Sequence, residues 1–149
     1  MSGPTAGGET VHATLVAKGG LGVLLRGPAG AGKSDLALRL IASADGWRLV
    51  SDDQVALTRT GSLIVGRAPE AIAGKLEARG IGILDFPAAE SAEIRLVIDL
   101  VRRPEVPRLP EDDETTPLLG LALPRSRLHG FDASTPVKIA LLLRRHDKI

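Results

Sequence analysis

The segment Gly27-Pro28-Ala29-Gly30-Ala31-Gly32-Lys33-Ser34 constrains the fold of this chain more than any other stretch. Before it, Gly22 to Arg26 is an aliphatic run of strand size. After it, Leu36, Ala37, Leu40 and Ile41 fall at helical spacing, with Asp35 in the first turn where the helix dipole favours an anion. The order is strand, glycine loop, helix. A nucleotide's phosphates need several donors at one small site, and a glycine turn running into a helix supplies backbone N–H groups that can approach them closely. Gly27, Gly30 and Gly32 give that freedom, and Pro28, Ala29 and Ala31 complete the cradle. Lys33 adds a point charge for the β and γ phosphates, and the Ser34 hydroxyl is the expected magnesium ligand. The competing reading, a glycine turn that merely caps a helix, leaves the whole pattern to chance.

The flanking pattern extends the same architecture. Val11 to Val16 and Gly22 to Arg26, separated by Gly19-Gly20, read as two strands and a possible hairpin. Trp47 to Val50 is a further strand ending in Asp52 and Asp53, and Val55 to Arg59 with Leu63 to Val65 reads as a β-hairpin around Thr60-Gly61-Ser62. Pro69 suits the first turn of a helix running to about Glu77. Glu93 to Val101 is the longest strand candidate. The proline- and carboxylate-rich stretch from Arg102 to Pro117 reads as an exposed, mobile loop, and Pro124 to Ser134 as irregular chain. Thr135-Pro136 offers a cap and first turn for a helix through Arg145. The expected fold is α/β: one P-loop-containing domain, its mixed sheet mostly β, with a helix after the glycine loop and flanking helices.

At 149 residues and 44% hydrophobic content the chain suits one core, expected over residues 11–149 behind a disordered tail of residues 1–10. Lysine and arginine number 19 against 18 acidic residues, which gives no argument for a nucleic-acid or membrane partner. Aromatic residues are only 2%, so base stacking on aromatic platforms is nearly excluded as a mode of single-strand binding. The absence of cysteine fits a reducing compartment, and the cytoplasm is the expected location.

Asp52 and Asp53 close an apolar strand, the position from which P-loop proteins send a carboxylate toward magnesium or the attacking nucleophile. Two adjacent carboxylates permit two roles, metal holding and proton acceptance, since like charges side by side raise one pKa. A solvated turn is the bland alternative. The stretch Leu76-Glu77-Ala78-Arg79-Gly80-Ile81-Gly82-Ile83-Leu84-Asp85 is more specific. Together with the glycine loop and Arg48-Leu49-Val50-Ser51-Asp52-Asp53, it resembles the catalytic domain of the HPr kinase/phosphorylase family, whose signature is close to Leu-Glu-Ile-Arg-Gly-Leu-Gly-Ile-Ile-Asp.

The resemblance runs from about Val11 to the end of the chain. It implies ATP and Mg2+ as cofactors, HPr or an HPr-like phosphocarrier protein as partner, and a homo-oligomer, a hexamer in the family. It implies that Asp52 is the general base for serine phosphorylation and the general acid for reversal, with Asp53 beside it, Glu77 a metal ligand and Arg79 in the catalytic group. His12, in His12-Ala13-Thr14-Leu15-Val16, falls where the family has a histidine, and Arg108 aligns more loosely with a family arginine. Ser51 replaces the usual alanine, Ala78 a bulkier aliphatic residue, and two extra residues precede the Asp52 strand. Relative to the longer family members the chain reads as a short form, without a separate N-terminal domain or the further C-terminal helices. The loop after Pro124 matches the family poorly, although Pro136-Val137-Lys138 is similar to its Pro-Val-Lys. The expected function is an ATP-dependent serine kinase on such a carrier, with phosphorolysis as a further activity in phosphotransferase signalling. The alternatives are a nucleotide-binding regulatory module without efficient catalysis and a small-molecule P-loop kinase.

Overall fold

The structure is a computed structural model and describes residues 7–111 and 114–147. In chain order its elements are β1 (Gly7–Val11), β2 (Thr14–Lys18), β3 (Leu21–Arg26), α1 (Lys33–Ala42), β4 (Trp47–Ser51), β5 (Val55–Thr60), β6 (Leu63–Arg67), β7 (Lys75–Ala78), β8 (Gly82–Asp85), β9 (Ala92–Leu100), β10 (Thr115–Leu118), β11 (Leu121–Leu128) and α2 (Thr135–His146). The expected α/β architecture with a large, mostly β sheet is the one found.

Nine of these strands form one sheet, in the order β1-β5-β6-β9-β3-β2-β4 with β11 on β9 and β10 on β11. The longest strand, β9, is its hub. It runs parallel to β3 along most of its length, meets β6 at Glu93 and Ala92, and meets β11 in parallel from Val97 to Leu100. Its Leu96, Val97, Ile98 and Leu100 are all buried, as a strand covered on both faces requires. On one face α1 and α2 set Leu36, Ala37, Leu40, Ile139 and Leu143 against Val23, Leu25, Leu49, Leu96 and Ile98. The other face packs Leu15, Leu24, Val50, Leu57, Ile64, Ile94 and Val97 together beneath Leu118 of β10. No helix among the described residues is long and apolar enough to cross a membrane.

Four expectations need correction. Residues 7–10, assigned to the tail, belong to β1, which pairs in antiparallel register with β5; residues 1–6 lie outside the described residues. The expected helix from Pro69 to Glu77 is a single 3-10 turn at Glu70–Ile72 followed by β7, which forms a hairpin with β8. Gly74, at φ +77°, stops helical propagation, and burial of Leu76 and Ala78 between exposed Lys75 and Glu77 is the two-residue period of a strand. The expected loop from Arg102 to Pro117 contains a 3-10 turn at Arg103–Glu105 and the start of β10. Of the stretch Pro124 to Ser134 expected to be irregular, Pro124 to Leu128 is strand, the second part of β11, with Pro124 placed where that strand passes from β10 to β9, while residues 129–134 are turns as expected.

A charged cluster ties β3, β9 and β11 together. Asp99 accepts from Arg26 Nε at 2.7 Å and Nη2 at 2.9 Å, and from Arg125 Nη1 at 2.9 Å. Burial alone would raise the Asp99 pKa, but the hydrogen bonds and charge of Arg26, and then of Arg125, hold it below the usual carboxylate value. Its folded value therefore lies below its unfolded one. The associated stability is complete above about pH 4 and is lost as pH falls through the lowered folded value. Asp99→Asn is expected to cost about 2 kcal/mol at pH 7. Urea unfolding between pH 5 and 2 should show a smaller loss of stability in the variant than in the parent chain.

Candidate active site

The glycine loop leaves the carboxyl end of β3 and enters α1, as its spacing required. Gly32 caps the helix in the left-handed region at φ +101°, and the Leu36 N–H closes the first turn on the Gly32 carbonyl at 2.9 Å. Gly30 is also left-handed, at φ +87°, with open space where a Cβ would stand. Lys33 is buried, its ammonium donating to the Gly27 carbonyl at 2.6 Å and the Pro28 carbonyl at 3.2 Å. Ser34 donates its hydroxyl to Asp52 Oδ1 at 2.7 Å.

β4 delivers the acidic pair to the same place, and the two carboxylates part company there. Asp52 is 7% exposed and accepts from Ser34, from the Thr14 hydroxyl at 2.9 Å, and on Oδ2 from the Glu77 backbone N–H at 3.3 Å. Asp53 turns outward at φ +73°, a conformation aspartate tolerates better than most residues, and its side chain is 69% exposed. It lies 2.8 Å from His12 Nε2. A carboxylate only accepts, so Nε2 carries the proton in that pair.

The β7–β8 hairpin supplies the opposite wall. Leu76 and Ala78 bury its inner face beside α1, so Glu77 and Arg79 face an open cleft of about 350 Å³. Gly30, Gly32, Lys33 and Ser34 line that cleft from the loop side, and His12 and Asp53 from the sheet side. Of the residues singled out from the sequence, Asp52 lies beneath the wall through its bond to Ser34. Arg108 is exposed in the chain after the second 3-10 turn and does not line the cleft. Hard oxygen donors gather at this wall, a hydroxyl and carboxylates, the set that suits magnesium. Among the described residues no three His, Asp or Glu side chains converge into a closed metal cage.

Sequence reasoning missed three contributors. Thr14 was signalled only by a hydroxyl inside the apolar run Ala13 to Val16. Phe131 is 53% exposed at the cleft, with its ring against Gly32. Gly130 lets that segment approach the loop, since a Cβ there would fall inside contact distance of the Ala31 carbonyl oxygen. Arg39 of α1 holds the segment by donating to the Gly130 and Asp132 carbonyls.

Sheet, loop and cleft together define a P-loop-containing α/β domain with its glycine loop beside an acidic strand end. The HPr Serine kinase C-terminal domain family matches residues 5–133, and the chain belongs to it. Among its relatives, HPr kinase/phosphorylase of Burkholderia lata is 40% identical over 133 residues, covering 83% of this chain and 41% of that protein. HPr kinase/phosphorylase of Burkholderia cenocepacia matches with the same identity and coverage. The chain thus spans about two fifths of the length of these curated relatives. The solved structure of the Hpr(Ser) kinase/phosphatase from Coxiella burnetii superimposes with a TM-score of 0.81 at 30% identity, covering 93% of this chain and 90% of that one.

Proposed function

We propose that this chain is an ATP-dependent serine kinase acting on HPr or an HPr-like phosphocarrier, with phosphorolysis of the phosphoserine as a second activity. The observation that carries the reading is the meeting, in one cleft, of the Lys33–Ser34 end of the glycine loop with two carboxylates in different environments. Loop amides and Lys33 hold the phosphates. Ser34, Asp52 and Glu77 are the residues that would hold magnesium, which when bound neutralises charge on the phosphates.

Geometry favours Asp53 as the proton acceptor, where the family resemblance implied Asp52. Asp52 is buried and already accepts three hydrogen bonds, so it suits the positioning of Ser34 and the metal. Asp53, exposed in the cleft with His12 behind it, is the better proton acceptor. The serine hydroxyl gives its proton to Asp53 as its oxygen bonds to the γ phosphorus and the β–γ bridge breaks. In phosphorolysis the protonated Asp53 returns the proton to the serine oxygen as its bond to phosphorus breaks, and inorganic phosphate takes the phosphoryl group and leaves as pyrophosphate. Arg79 is the cleft arginine suited to the transferring charge, and Arg108 would join it only through movement of its loop. The family resemblance also supports a cytoplasmic homo-oligomer, of hexameric order.

The test is incubation with labelled Mg-ATP and a purified HPr-type carrier. Label on a carrier serine is the expected result. Tight ATP binding with no transfer would replace this reading with a regulatory module, and label on a metabolite alone with a small-molecule kinase.

A further inference from the structure

On the side of the glycine loop away from Asp52 lies a second recess, of about 480 Å³, within the usual range of ligand sites. Pro28 to Ala31 form one wall with the outer face of the loop. Leu100, Val101 and Arg102 at the end of β9, and His129 and Phe131 after β11, form the rest. β3, β9 and β11 are parallel neighbours, so three carboxyl ends meet here. That edge is where open parallel α/β sheets bind ligands. β4, which carries the acidic pair, lies on the other side of β3, across β2.

Phe131 joins the two spaces, because it lines both. Its half-exposed ring is set on Gly32 and meets the His129 ring edge-on, with centroids 6.0 Å apart and planes at 67°. Core packing does not explain an aromatic ring left in solvent and held in place by the loop. His129 Nδ1 lies 3.0 Å from the Val101 carbonyl, which can only accept. Nδ1 therefore carries a proton, the tautomer in which Nε2 is the ring's acceptor. At the rim, Arg102 Nε donates to Glu105 Oε1 at 3.3 Å.

We propose that this recess takes the nucleoside half of the nucleotide whose phosphates lie in the glycine loop. The base lies against Phe131 and His129, and the sugar lies over Pro28 to Ala31 with the Glu105 carboxylate within the rim to accept from its hydroxyls. The phosphates then point toward Lys33, Ser34 and the acidic strand end, which places the γ phosphate on the side of Asp53. This inference rests on the reading of the loop as a nucleotide-phosphate site.

Calorimetry with two probes tests it: Mg-ATP, and magnesium tripolyphosphate, which has the phosphates and no nucleoside. The parent chain should bind ATP at least about tenfold more tightly than tripolyphosphate, the scale of one aromatic plate under a base. Phe131→Ala should weaken ATP about tenfold and leave tripolyphosphate within about twofold, and Phe131→Trp should keep ATP affinity. Unchanged tripolyphosphate binding also reports that the Phe131→Ala loop is folded. Equal weakening of both probes would make the ring a support for the loop and overturn the subsite. So would ATP binding that does not respond to Phe131→Ala, or a parent chain that binds both probes equally. A parent chain that binds neither probe would overturn the loop reading itself, and the subsite with it.

Discussion

Asp53→Asn is expected to lower phosphoryl transfer to the carrier serine by about a thousandfold while leaving Mg-ATP affinity nearly unchanged. The amide keeps the shape of the carboxylate but has almost no basicity, so it cannot take the hydroxyl proton. It also cannot reproduce a charged partner for His12 Nε2, which lies 2.8 Å from the present carboxylate. Because the Asp53 side chain is 69% exposed, the change should cost little stability. Asp52→Asn should behave differently. Its carboxylate accepts from Ser34, Thr14 and the Glu77 N–H, so an amide nitrogen there would face donors and disturb the wall that would hold magnesium. Both affinity for Mg-ATP, by about 10- to 100-fold, and turnover should fall. Single-turnover rates measured beside calorimetric ATP affinities separate the two variants. Loss of rate alone in Asp52→Asn, with Asp53→Asn nearly as active as the parent chain, would restore Asp52 as the base, as the family resemblance implied.

These two aspartates also mark the limit of what the sequence discloses. Gly27 to Ser34 was legible because its requirements are local: left-handed glycines, a lysine and a hydroxyl at fixed spacing, and a helix that starts at once. Asp52 and Asp53 are chemically equal neighbours, and only tertiary burial distinguishes them. The hairpin that carries Glu77 and Arg79 was misread as the end of a helix because Pro69 favours a helix start. The deciding signal was Gly74 with the alternating burial of Leu76 and Ala78, which depends on what α1 covers. Family resemblance nevertheless brought Glu77, Arg79 and His12 to one cleft, since it depends on residue identity and order and not on the local element. Thr14, Gly130 and Phe131 escaped for a third reason. Their partners, Asp52, Ala31 and Gly32, are distant in the chain, and no periodicity encodes such contacts.

Gly130→Ala is expected to be among the most destabilising single changes at the surface of the site, at about 3 kcal/mol, or close to 10 °C in unfolding temperature for a chain of this size. The cause is contact and not dihedral strain, since Gly130 is absent from the left-handed glycines. An added Cβ would meet the Ala31 carbonyl oxygen within contact distance and Leu100 Cδ1 at 3.4 Å. The first is backbone of the glycine loop, so no rotamer change relieves it. The loop and the 129–131 segment must separate, breaking the Arg39 bonds to the Gly130 and Asp132 carbonyls and lifting Phe131 from Gly32. Gly30→Ala is the control. It has a left-handed φ of +87° but nothing within 4 Å of the new methyl group, so it should cost only about 1 kcal/mol. Thermal unfolding of both variants should therefore rank Gly130→Ala well below Gly30→Ala, with ATP affinity falling at least about tenfold in the former as the loop is displaced. Equal melting temperatures would mean that the segment can move off the loop at no cost, and that Gly130 does not fix the geometry of the phosphate cradle.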